Sequence, residues 1–84
     1  MAKRKVKIAK YTAIFEPAEE GGYVVTVPTL PGCITEGDTF EEAVDMVKDA
    51  IKTYIQSLKE HREPIPTEDT PSFVGTIEVP ITLP

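Results

Sequence analysis

Hydrophobic and polar positions change period twice along this chain. From Val6 to Glu36 the apolar residues are mostly β-branched or aromatic and come in short runs, broken by Pro and Gly, the pattern of strands and tight turns. Val6–Glu16 is read as a first strand, Tyr23–Pro28 (YVVTVP) as a second and Cys33–Glu36 as a short third. Pro17–Gly22 is polar and Gly-ended, which suits a hairpin. Pro31-Gly32 places Pro and then Gly at the two centres of a turn, as a type II turn demands.

The period then becomes helical. Phe40, Ala43, Val44, Val47, Ala50, Ile51, Tyr54, Ile55 and Leu58 fall within an arc of about 140° at 100° per residue, a broad core-facing stripe. Thr39-Phe-Glu-Glu42 reads as a capping box, with acidic residues where the helix dipole favours them. Pro64 and Pro66 cannot continue the helix, which is expected to end near His61. His61–Ser72 is a Pro-spaced connection, and Phe73–Val79 (FVGTIEV) is read as a last strand.

The expected fold class is α+β, in the order β-β-β-α-β. A right-handed crossover through the helix sets the last strand beside the first. The mixed four-stranded sheet would have the order 3-2-1-4, with one helix on one face. The whole chain, 1–84, is read as a single domain with a core of about 6–80 and a basic N-terminal end at 1–5; a chain of this size buries only about 60–65% of its unfolded surface. One helix covers one sheet face, and the second strand is apolar on both. The other face is therefore expected to be a contact surface, most economically for a second copy of the chain.

Charge sharpens that expectation. The net charge is −5, but five of the nine basic residues lie at or before Lys10, leaving four basic against fourteen acidic from Tyr11 onward. Such a body repels phosphate backbones and attracts basic partners. The Lys-rich start reads as a solvated end, since no aromatic or Gly-rich pattern accompanies it. No apolar run approaches a membrane span and no signal core follows the basic start, so a cytoplasmic protein is expected.

Chemistry is sparse. Cys33 is the only cysteine and His61 the only histidine, which leaves no internal disulfide and argues against a thiolate metal site. Cys33 is read as a small buried residue and His61 as a helix-end residue favoured by the dipole. Glu16, Glu36 and Glu78 are conceivable ligands of a divalent-metal nuclease, but the interior of the first strand carries no acid, and a solvated surface is the better reading. No catalytic residue, metal site or cofactor is expected, and the chain is read as a non-enzyme. Glu16, Glu19 and Glu20 around the first hairpin, with Val24 and Thr26 on the second strand, are the candidate partner-binding residues.

Gly22-Tyr-Val-Val-Thr-Val-Pro28, Leu30-Pro-Gly-Cys33, Gly37-Asp-Thr39 and Glu42-Ala43, at these spacings, resemble the signature of the HicB-like antitoxin domain. The similarity spans roughly Tyr11 to Pro66. It implies a degenerate ribonuclease H-like fold, consistent with the order above. It also implies a protein partner, a small basic HicA-type toxin that cleaves mRNA and is neutralised by masking of its active site, and assembly as a homo-oligomer, dimer or tetramer. Gly22, Pro28, Leu30, Pro31, Gly32, Gly37, Asp38, Thr39, Glu42 and Ala43 carry over as fold determinants. Many such antitoxins continue into a DNA-binding module. Here only a Pro-rich link and one strand follow the helix, so operator binding is not expected. An orphan oligomeric member with another protein partner is the alternative, and a metal-dependent nuclease a more distant one.

Overall fold

The computed structural model describes residues 8–70 and 72–84. Three antiparallel strands, β1 (Ile14–Pro17), β2 (Tyr23–Thr26) and β3 (Ile34–Gly37), form a meander in the order β1-β2-β3. One helix, α1 (Phe40–Glu60), follows. Ile14 pairs with Thr26 and Thr26 with Ile34; Glu16 pairs with Val24 and Val24 with Glu36.

The turns follow from their residues. Cys33 N–H donates to Leu30 C=O at 2.9 Å across Pro31-Gly32, and Gly32 supplies the φ of +83° that a type II turn requires. Pro28 starts the turn before it, closed by Leu30 N–H on Val27 C=O at 3.0 Å. The two turns drive Leu30, a loop residue, fully into the core, a burial that contributes about 1.5–3 kcal/mol. Tyr54 Oη donates to Pro31 C=O at 2.8 Å and ties the loop to the helix.

Thr39 caps the helix, its hydroxyl accepting from Glu42 N–H at 3.0 Å. At the other end Arg62 takes a left-handed φ of 53°. Glu63 N–H reaches back to Leu58 C=O at 2.9 Å and Arg62 N–H to Lys59 C=O at 3.1 Å, the bond pair of a Schellman motif. The chain turns there, two residues before Pro64.

Val25, Val27, Leu30, Cys33, Ala43 and Val47 form the core, flanked by half-buried Phe15, Tyr23 and Tyr54. The helix sits over β3 and β2 and leaves most of β1 uncovered; its first residue reaches across, Phe40 lying 4.9 Å from Phe15 and 5.9 Å from Tyr23 between ring centroids. No helix among the described residues is long and apolar enough to cross a membrane.

Two expectations are corrected. The first strand is shorter than Val6–Glu16: β2 offers only four paired positions, so pairing begins at Ile14, while Val6 and Lys7 lie outside the described residues. The fourth strand, and with it the order 3-2-1-4, is not formed among the described residues, whose sheet has three strands. Residues 72–84 have no strand partner among the described residues and are exposed throughout, Phe73 by 95% and Ile77 by 82%. A strand exists only where an edge accepts its backbone hydrogen bonds, which local alternation cannot guarantee.

Candidate functional site

Strand register decides which side chains share the face opposite the helix. Tyr23 and Val25 point towards α1, so Val24 and Thr26 point away. Pairing adds their neighbours, giving two rows across the sheet. One reads Ile14, Thr26, Ile34, and the other Glu16, Val24, Glu36. Ile34 is 61% exposed, and both glutamates are exposed. The strands are about 4.8 Å apart, so Glu16 and Glu36 flank Val24 at about 10 Å from each other. The face is thus an apolar row beside an acidic one.

Of the candidate partner residues, Glu16, Val24 and Thr26 come together on this face. Glu19 and Glu20 stand on the adjoining hairpin, which Ala18 and Gly22 close with a 3.0 Å backbone bond. Glu20, Glu36 and Asp38 line a shallow polar recess at that end of the sheet, so the acidic character continues around the corner. Ile14, Ile34 and Glu36 belong to the same face and were not singled out from the sequence as partner residues. The signal that finds them is register, since a four-residue antiparallel ladder fixes every side-chain neighbour once its two turns are placed.

The signature residues lie behind this face. A Cβ on Gly37 would stand 2.5 Å from Ala43 N, and one on Gly22 2.5 Å from Gly37 C=O. The β1–β2 hairpin, the end of β3 and the first helical turn therefore meet backbone to backbone, with Ala43 fully buried beneath. Leu30, Pro31 and Gly32 make the core-plugging loop, and Thr39 and Glu42 the cap; Asp38 is exposed.

Of the groups considered for chemistry, Glu16 and Glu36 form the acidic row of this surface, and Cys33, His61 and Glu78 lie outside it. Cys33 is 5% exposed, and burial pushes its thiol up. His61 closes the helix, its Nδ1 2.7 Å from Ser57 C=O. Glu78 stands on the exposed 72–84 segment, away from the sheet that carries Glu16 and Glu36. Among the described residues no three His, Cys, Asp or Glu side chains come together as metal ligands. The lysine-rich start, Lys3–Lys7, lies outside the described residues.

Residues 11–78 match the model of the HicB-like antitoxin of bacterial toxin–antitoxin systems. A UPF0150 protein of Thermoplasma acidophilum is 53% identical over 60 residues, covering 71% of this chain and 87% of that protein. Antitoxin HicB 1 of Photorhabdus laumondii is 40% identical over 80 residues, 93% of this chain and 50% of that protein. Antitoxin HicB of Escherichia coli K12 is 36% identical over 78 residues, 88% of this chain and 54% of that protein. The chain thus spans most of the UPF0150 relative and about half of each HicB antitoxin. With the family signature laid out along one hairpin, one loop and one helix cap, this chain belongs to the HicB-like antitoxin family.

Proposed function

We propose that this protein is the antitoxin of a toxin–antitoxin pair. It binds a small basic HicA-type mRNA-cleaving toxin and masks its active site, and it does so as a homo-oligomer. The observation that carries this reading is the open sheet face, where Ile14, Thr26 and Ile34 supply apolar contact and Glu16 and Glu36 supply charge opposite to a basic partner's. A ribonuclease must hold RNA phosphates on a basic surface, and a protein with four basic against fourteen acidic residues beyond Lys10 competes for that surface. Masking needs no nucleophile or metal on the antitoxin.

Growth rescue and copurification test the reading. Coexpression with a small basic ribonuclease encoded beside this gene restores growth, and the two proteins copurify at low salt. Unrescued growth with no complex by either route overturns it. The near-full-length match to a UPF0150 protein favours a second reading, an oligomeric HicB-like protein that binds a different protein partner through the same face. Copurification without growth rescue selects that one.

A further inference from the structure

Residues 72–84 form an amphipathic segment with no strand partner among the described residues of their own chain. From Thr76 onward Ile77, Val79, Ile81 and Leu83 alternate with Thr76, Glu78, Pro80 and Thr82, and Phe73 lies in phase with the apolar row while Val74 does not; this is the period of a strand with one buried face. Each of the five residues in that row is at least 66% exposed. The arm runs outward: the molecule measures 69 × 28 × 21 Å with a radius of gyration of 16.6 Å, whereas a compact chain of this length has about 12 Å. An apolar row of this size in water marks a contact surface.

The same chain carries a groove that fits such a segment. It measures roughly 470 Å³ and lies between α1 and the segment that leads into β1, floored by Ala9, Tyr11 and Ala13 and walled by Val44, Val47, Ile51 and Ile55. It is where a strand next to β1 would sit under the helix. Val44 to Ile55 span about 17 Å along the helix, which takes about five residues of extended chain. The signs of charge also match: Lys10, Lys48 and Lys52 rim the groove, and Glu78 is the only charged residue from Ser72 onward. Pro80 suits a strand added at an edge, where its missing N–H faces outward.

We propose that the arm of one copy, centred on Ile77, docks in the β1-side groove of a second copy, and the reverse, giving a two-fold dimer that completes both sheets with exchanged strands. The exchange rests on the self-association in the reading above and assigns it a segment and a receptor. Reciprocal insertion closes the assembly, as an isologous interface must. It buries both apolar rows and gives the free edge of β1 its missing partner.

Disulfide trapping and sedimentation test it. Chains carrying Ile77→Cys are mixed with tagged chains carrying Ala13→Cys, Val44→Cys or Ile51→Cys, and oxidised. A covalent dimer of one tagged and one untagged chain at any of the three positions is expected; buried Cys33 alone gives none. In sedimentation, Ile77→Glu with Ile81→Glu weakens the dimer at least tenfold, while the helical circular dichroism signal stays unchanged because both positions are exposed within each chain. Trapping confined to a single chain, when both cysteines are placed on it, overturns the exchange in favour of a strand folded back on its own sheet. A dimer that persists at full affinity with no trapped product also overturns it, while leaving self-association by another surface standing.

Discussion

Thr12 donates both its backbone N–H and its hydroxyl to the Glu68 carboxylate, each at 2.6 Å, across 56 residues of sequence. Thr29 Oγ1 adds a third bond at 2.9 Å, and Tyr11 Oη reaches Pro66 C=O at 2.7 Å. One carboxylate thus fastens the Pro-rich link to the residues before β1 and to the β2–β3 loop. The Thr12 hydroxyl and then the Thr12 N–H hold the Glu68 carboxyl below its usual range, with burial opposing and Thr29 adding to the lowering. A depressed folded pKa stabilises above the unfolded value, about 4.3, and that contribution is lost as pH falls through the folded value. Urea midpoints should therefore drop on acidification below the ordinary glutamate range. Glu68→Gln should lower the midpoint at pH 7 and make the acid limb shallower; an unchanged limb in this variant would show that the clasp does not matter to stability.

Gly37 and Gly22 should tolerate no side chain. The atoms a Cβ would strike are backbone, Ala43 N and Cα at 2.5 and 2.7 Å for Gly37 and Gly37 C=O at 2.5 Å for Gly22, and backbone in a cap or ladder cannot swing aside. Gly37→Ala is expected to cost about 1–3 kcal/mol as overpacking. Gly32→Ala separates crowding from conformation: its Cβ would meet nothing, so only its positive φ penalises alanine, by about 1–2 kcal/mol. Denaturant titrations of the variants provide the comparison.

Arg62 is a place where the sequence is not at its stability optimum. It holds the left-handed position of the Schellman motif, which Gly occupies at lower cost. Arg62→Gly should raise stability by about 0.5–1 kcal/mol, and Arg62→Val, β-branched at positive φ, should lower it. Thermal melts that rank valine above glycine would contradict the motif.

These residues also mark how far the sequence is legible. The helix could be read because Thr39 and the apolar stripe are local signals that packing did not override, and Pro31-Gly32 because a type II turn constrains its own two residues. Arg62 could not, since only Gly advertises a left-handed position. Glu68 could not either, because an acid in a Pro-rich link has no pattern and its partners lie 39 and 56 residues away. On the open face, Val24 and Thr26 follow from alternation within one strand, whereas Ile14, Ile34 and Glu36 need the register of two ladders. The alternation of residues 76–83 is legible as well, but a pairing partner is not: alternation states which side would be buried and says nothing about what would bury it.

The acidic row gives the proposed toxin contact a test separate from folding. Glu16 and Glu36 are exposed, and each lies beside Val24 rather than opposite a cation. Reversing them should leave the denaturation midpoint within about 0.5 kcal/mol of the parent. Binding should respond differently, because charges on the rim of an interface act mainly through association rate and salt dependence. Glu16→Lys with Glu36→Lys should slow association with the basic toxin at least tenfold at low ionic strength. The gap should narrow in 0.5 M salt, where the screening length falls to about 4 Å. Val24→Ala, by contrast, should speed dissociation and change little with salt, since it removes contact and no charge. Association that is indifferent to the reversal at every salt concentration would place the toxin on another surface and leave the open face to some other occupant.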